Sequence, residues 1–218
     1  MTRWILGFCC LLAASPVLAT SLTPVNDFED GTLFNWAYAA PSQLTNVATG
    51  GPAGAGDHWL RLETDGASQP GGRPVITNAS QWSGDYVAAN VQAVAADLAN
   101  FGAEDLHIRF AIQGAGGERF VTTDAIVLSA DANWHHLTFA LDEADFTQVT
   151  GGSATFGDVL LDVERIRFLV RELSPGWNGD EIATVIGFDN IANLPEPGTL
   201  LLVGVGLAWL GRTRRRIT

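Results

Sequence analysis

Leu106-His107-Ile108-Arg109-Phe110-Ala111-Ile112 alternates side-chain character for seven residues. A β-strand sends successive side chains to opposite faces, so this stretch puts Leu106, Ile108, Phe110 and Ile112 on one face. Residues 163–170 repeat the pattern: Ile166, Phe168 and Val170 face one way, and Arg165, Arg167 and Leu169 the other. Strand-like stretches also lie at 58–63, 134–141 and 185–191. Turn-forming clusters such as Asp30-Gly31, Asp65-Gly66, Pro70-Gly71-Gly72, Gly151-Gly152 and Pro175-Gly176 separate them. Short strands punctuated this often predict an all-β fold, an antiparallel β-sandwich.

Two segments are ambiguous. Residues 88–101 are rich in alanine, a strong helix former. Tyr86-Val87 and residues 91–94 read instead as an inner strand, and the flanking strands favour that reading. Residues 142–149 suit a short helical turn within a connection.

Both ends of the chain differ from the middle. Arg3 precedes an apolar run over residues 4–14, then Ser15-Pro16 and Val17-Leu18-Ala19. That order predicts a secretory signal peptide, a signal helix cleaved after Ala19. Cys9 and Cys10 fall inside it, so the cleaved chain has no cysteine. At the other end, Pro195-Glu196-Pro197 precedes an uncharged run over residues 199–210 and a basic cluster of Arg212, Arg214, Arg215 and Arg216. This tripartite segment resembles the PEP-CTERM sorting signal of bacterial envelope proteins. The resemblance implies recognition and processing by an exosortase-type enzyme, in bacteria that make exopolysaccharide. With its flanking glycines the apolar run gives ~21 Å of helix against a ~30 Å hydrocarbon core. It predicts a short transmembrane helix suited to transient anchoring, its arginines held in the cytoplasm. The chain therefore divides into a signal peptide at 1–19, a β-sandwich domain at 20–194 and a sorting and membrane-anchor segment at 195–218. The protein is expected to be exported, transiently anchored in the inner membrane, and then placed in the envelope or extracellular matrix.

The middle region holds seven arginines, no lysine and 23 acids, a formal charge of −16. Such a surface disfavours nucleic acid and anionic lipid as partners. It is compatible with cations and with neutral polymers such as polysaccharide.

Asp27-Phe28-Glu29-Asp30-Gly31-Thr32-Leu33 with Trp36, Gly187-Phe188-Asp189-Asn190-Ile191, and Trp134-His135-His136-Leu137-Thr138-Phe139 resemble elements of the galactose-binding-like jelly roll used by carbohydrate-binding modules. The resemblance implies that the Asp27 and Gly187 elements are the terminal strands, joined by a structural calcium ion with Glu29 and Asp189 as ligands. Asp27 is a further candidate, and carbonyls of the 50–57 loop are candidates to complete the shell. Carboxylates drawn from both ends of a chain repel unless a hard cation neutralises them, and Ca²⁺ accepts 6–8 oxygens.

Catalytic signals are weak. His135 and His136 are adjacent on a strand and point to opposite faces. No His-Glu-x-x-His or Gly-x-Ser-x-Gly occurs. Asp85, Asp97, Glu104 and Asp105 are the carboxylates available for a glycosidase pair, and Gly114-Ala115-Gly116-Gly117 reads as a strand-to-strand turn. Trp59 and Trp134 sit in strand patterns and are expected in the core. Trp36, Trp82 and Trp177 lie in loop-like surroundings beside polar residues, where an indole can stack on a sugar ring. The expected protein is non-enzymatic, with glycan as candidate ligand. A purely structural surface protein and a polysaccharide hydrolase are the alternatives.

Overall fold

A computed structural model of the chain describes residues 25–37, 44–68 and 71–195. The signal-peptide reading with cleavage at Ala19 lies outside these residues, as do Glu196, Pro197, the apolar run and Arg212, Arg214, Arg215 and Arg216.

Two antiparallel sheets form a sandwich. The strands are β1 (Leu44–Val47), β2 (Trp59–Asp65), β3 (Val75–Asn78), β4 (Val91–Asn100), β5 (Leu106–Gly114), β6 (Arg119–Thr122), β7 (Ile126–Leu128), β8 (Trp134–Ala140), β9 (Phe146–Thr150), β10 (Val163–Val170) and β11 (Ala183–Pro195). One sheet runs β1-β2-β11-β4-β8. The other runs β3-β10-β5-β6-β9, with β7 paired to β5. The expected all-β antiparallel sandwich is the observed fold.

The period-two reading of β5 and β10 holds. Leu106, Ile108, Phe110 and Ile112 of β5 and Ile166, Phe168 and Val170 of β10 all lie in the central core. Phe168 is its hub. Its ring centroid lies 5.4 Å from Phe110, 5.7 Å from both Trp36 and Phe139, and 5.9 Å from Phe188. Phe139 and Phe188 come from the opposite sheet, so these contacts join the two layers. Offset and edge-on ring pairs of this kind add about 0.5–1.5 kcal/mol each beyond area burial.

The alanine-rich segment is strand β4, not helix. It pairs with β11 on one side and β8 on the other, so the backbone groups on both of its edges are satisfied. Helix propensity is a weak local preference, and a helix here would leave two strand edges open. Val94, Ala96 and Leu98 face the core, and the small alanines at 93, 95 and 99 face outward. The helical turn expected after Leu141 is a 3₁₀ turn at Glu143–Asp145, followed directly by β9. A short helix α1 (Phe156–Leu161) is opened by a capping box between Thr155 and Asp158.

The expected first strand around Asp27 is reduced to a single bridge. Asn26 N–H donates to Ile191 O at 2.9 Å, and Ile191 N–H returns to Asn26 O at 3.1 Å. The chain then breaks from extended geometry, with Phe28, Phe34 and Asn35 at φ 57°, 45° and 59°. These turns send Phe28 into the core, where it is fully buried. The start of the domain and its last strand are nonetheless adjacent, as expected.

Candidate functional site

The outward side of β10 carries Arg165, Arg167 and Leu169. Register aligns Arg165 with Gln113, Arg167 with Ala111 and Leu169 with Arg109 of β5. One strand further, Ala111 faces Val121 and Gln113 faces Arg119 of β6. This outer face therefore has a small apolar centre of Ala111, Val121 and Leu169 edged by guanidinium groups. Loop 171–182 returns across it and seats Trp177 on that centre, beside Val75 and Val149. The Arg167 guanidinium lies 4.1 Å from the Trp177 ring and that of Arg119 lies 4.6 Å from it. Both distances suit cation–π contact.

Arginines also hold the loop. Buried Arg109 donates to the carbonyls of Arg171, Glu172 and Leu173, and to those of Thr122 and Thr123 on the β6 side. Arg171 Nε donates to Ser174 O at 2.6 Å and its Nη1 to Asn178 O at 3.2 Å. Arg167 Nη1 donates to Trp177 O at 2.8 Å, and Arg73 Nη1 to Gly179 O at 3.2 Å. Gly179 permits this seat, because a Cβ there would meet Val75 Cγ2 at 2.9 Å. The indole is thus held in place by the arginines and the loop backbone.

A groove of about 740 Å³ runs along this face, lined by Arg73, Val75, Thr77, Arg165, Arg167 and Asn178 among others. Arg119 Nε donates to Gln113 Oε1 at 2.8 Å, Gln113 Nε2 donates to Glu164, and Glu164 pairs with Arg165. The Arg165 hydrogen bond holds the Glu164 carboxyl below its ordinary range, with Gln113 and Arg119 acting the same way. Burial lowers the Arg167 pKa to about 10, and repulsion from Arg119 and Arg165 adds to it.

Of the three loop tryptophans, Trp177 alone reaches this face. Trp36 and Trp82 are 2% and 0% exposed, which corrects their assignment as sugar-stacking residues. Their indole N–H groups both donate to Asn26 Oδ1, at 3.0 and 2.9 Å. Their polar neighbours in sequence mark chain reversals, and each reversal turns the ring inward. Trp59 is buried, as expected, and Trp134 half-buried, but neither lies between the two sheets. They lie outside the sandwich, over Gly187 on the outer face of the other sheet, packed with Phe101. A Cβ on Gly187 would meet the Trp134 ring at 2.6 Å. Their indoles donate to Thr49 O and Gly50 O, fastening the 49–57 loop.

The acids expected at a metal fall at the junction of the two chain ends. Asp189 is 1% exposed and has no ion pair among the described residues. Burial pushes its carboxyl up to about 7. Asp57, Asp97 and Glu29 push the same way, and the Asn190 N–H bond at 2.7 Å opposes them. Glu29 Oε1 accepts from His58 N at 2.9 Å, and Asp57 Oδ2 accepts from Ala53 N at 2.5 Å. Asp27 is not drawn into this field. It accepts from Glu29 N at 3.3 Å in a local turn. Among the described residues no three His, Cys, Asp or Glu side chains cluster closely enough to hold a metal by themselves. Asp57 and Asp97 join Glu29 around Asp189 only through the fold, and sequence reasoning missed them there.

The acids weighed for catalysis do other work. Asp85 accepts from Ala88 N, Asp105 from Ala130 N, and Asp97 from His136 and Asn190. Neither they nor Glu104 line the groove.

Comparison with solved structures gives the class: a sandwich of the carbohydrate-binding-module type. The fold matches a family 11 carbohydrate-binding module from Clostridium thermocellum, solved with a β-1,3-1,4-mixed-linked tetrasaccharide. Identity is 16% and the TM-score 0.52, over 78% of this chain and 94% of that one. It also matches an exo-β-agarase at 13% identity and a TM-score of 0.57, over 79% of this chain. The match spans a quarter of the agarase, 25% of its length. No curated protein matches the sequence. At the end of the chain, residues 193–216 match the PEP-CTERM protein-sorting motif. Pro195, the first residue of that tripeptide, closes β11 opposite Val91, so the motif begins directly at the sandwich.

The Asp189 carboxyl keeps its proton to higher pH in the folded chain, up to about 7, than the usual 3.8. The folded state then binds more protons than the unfolded one in between, and this group's contribution to stability falls as pH rises through that window. Asp189→Asn removes the effect. The melting temperature of the variant, relative to that of the wild type in chelator-treated protein, should climb between pH 4.5 and 7.5. A difference independent of pH contradicts the reading.

Proposed function

We propose that this is an exported, non-enzymatic protein of the cell envelope or extracellular matrix that binds glycan on the outer face of the β3-β10-β5-β6-β9 sheet. The observation that carries the reading is the groove beside Trp177, on a sandwich of the carbohydrate-binding-module type. A partly exposed indole offers an apolar surface to a sugar ring, while Thr77, Asn178 and the guanidiniums supply hydrogen bonds to its hydroxyls. Exopolysaccharide is the ligand class that fits an envelope-sorted protein. Binding is measured on a glycan array and by calorimetry. Trp177→Ala should weaken binding at least ~10-fold, about 1.4 kcal/mol, with little loss of stability. Trp82→Ala, as control, should cost ~3–5 kcal/mol of stability. Unchanged affinity in Trp177→Ala would remove the site.

The acidic junction fits a hard cation in part: buried Asp189 is opposed by Glu29, Asp57 and Asp97, and forms no ion pair among the described residues. A calcium ion held by Asp189 with Glu29 and Asp57, its shell completed by backbone oxygens and water, would neutralise that field and tie the first turn to the last strand. Asp27 is the remaining acid of the original set. Saturating calcium at ~100 times its dissociation constant adds ~2.7 kcal/mol. It should raise the melting temperature of the wild type more at pH 7.5 than at pH 5, and leave Asp189→Asn unmoved. An unmoved wild type refutes calcium.

The sorting motif supports the rest of the route. Residues 1–19 act as signal peptide, 20–194 as exported domain and 195–218 as sorting segment. The 199–210 helix holds the protein transiently in the inner membrane, and Arg212, Arg214, Arg215 and Arg216 keep the tail cytoplasmic. Pro195-Glu196-Pro197 is presented outside to an exosortase-type enzyme. Glu196→Ala should spare export and block maturation. Mass spectrometry of mature protein from its native host that finds an intact end at Thr218 would overturn the processing step.

A further inference from the structure

Six of the seven arginines between residues 25 and 195 belong to one sheet face or its loop: Arg73, Arg109, Arg119, Arg165, Arg167 and Arg171. The seventh, Arg61, lies on the other sheet and pairs with Glu63. In a region of formal charge −16 and no lysine, this is a local concentration of positive charge. Part of it serves the loop, since Arg109 and Arg171 are engaged by carbonyls and Arg73 by Gly179 O and the Glu181 carboxylate. Three guanidiniums remain along the groove and its Trp177 edge. Arg167 and Arg119 form no ion pair among the described residues, and Arg167 is bonded only to Thr77 Oγ1 and Trp177 O. Arg165 pairs with Glu164, yet its Nε is buried with no hydrogen-bond partner. Arg119, Arg165 and Arg167 set against the single carboxylate of Glu164 leave an excess of two positive charges.

Mutual repulsion and partial burial make this arrangement costly when empty. A neutral sugar needs hydrogen-bond donors and acceptors, but it does not need three guanidiniums gathered on an otherwise acidic domain. An oxyanion does. The planar fork of arginine matches a carboxylate with two parallel N–H···O bonds. An anionic polymer would be repelled by most of this surface, so the basic face also dictates where it lands.

We propose that the groove beside Arg165 and Arg167 selects an acidic glycan, with a uronic-acid carboxylate seated on Arg167 and Arg165 and a sugar ring against Trp177. This rests on the glycan-binding reading above and specifies its substrate class.

The test uses full-length protein in detergent and compares four probes by affinity electrophoresis and calorimetry. These are polygalacturonate, a neutral β-1,3-1,4-mixed-linked glucan, dextran sulfate and unmodified dextran. The proposal expects polygalacturonate to bind at least ~10-fold more tightly than either neutral polymer. Its affinity should fall as NaCl is raised, by screening. Arg167→Gln and Arg165→Gln should each abolish that preference. Arg167→Lys should keep the salt dependence and lose most of the affinity, because the charge stays and the fork is gone. Arg119→Gln leaves the Arg167 bond to Trp177 O in place, so it tests the charge excess should the Arg167 variants fail to fold.

Equal or tighter binding of the neutral glucan overturns the acidic-glycan inference and leaves the glycan-binding reading standing. Dextran sulfate binding as tightly as polygalacturonate overturns carboxylate selection in favour of general charge attraction. Polygalacturonate binding unaffected by Arg165→Gln, Arg167→Gln and Arg119→Gln overturns the site. Failure of all four probes overturns the inference. Extended to the full glycan array, such failure also overturns the glycan-binding reading.

Discussion

Strand β10 carries two obligations at once. From Ile166 onward its even-numbered residues build the core, with Phe168 touching rings from both sheets and from the segment before β1. Its odd-numbered residues build the outer face, with Arg165 and Arg167 in the groove and Leu169 in the small apolar patch under Trp177. A slip of one residue would exchange the two sets, burying guanidiniums and exposing phenylalanine. The hydrophobic demand on Phe168 therefore sets the register of the strand and, through it, the geometry of the charged face. Fold and candidate site are coupled through one periodicity.

The loop after β10 shows how a site on a loop becomes rigid. Carbonyl groups on loops ordinarily face water, but here guanidiniums take them up from below and beside. Each such bond to a charged donor contributes about 1.5–3 kcal/mol. Arginine suits this because its several donors leave in fixed directions. The arrangement spends positive charge on structure, and the charge left over on Arg119, Arg165 and Arg167 is what distinguishes this face from the rest of an acidic molecule.

The opposite sheet handles its outer face differently. Trp59, Trp134 and Phe101 close over Gly187, and the two indoles pin the 49–57 loop by their N–H groups. That loop brings Asp57 toward Asp189, while β4 brings Asp97 and the first turn brings Glu29. A buried carboxyl surrounded by acids is unfavourable by desolvation and by repulsion. At the junction of the two chain ends that cost falls on Asp189, whose carboxyl is pushed up to about 7.

Individual strands and their inward faces were legible in the sequence wherever alternation ran for seven or eight residues, as in β5 and β10. Alternation is a local property, and core burial enforces it. The sorting motif was legible for a similar reason: its three pieces are contiguous and act in order. The tryptophans were not. Trp36, Trp82 and Trp177 have the same kind of polar neighbours, yet the first two converge on Asn26 in the core and the third lies on a surface. What separates them is the direction of each turn and a distant acceptor, neither of which sequence spacing encodes. The arginine face was equally hidden. Its members come from β5, β6, β10 and two loops, and they become one feature only when antiparallel pairing sets Arg165 against Gln113 and Gln113 against Arg119. The sequence by itself determined the sandwich, the acidic charge and the sorting segment, because these depend on local period and composition. Tertiary structure alone decided which indole is exposed and where the positive charge gathers, because both depend on register between strands far apart in the chain.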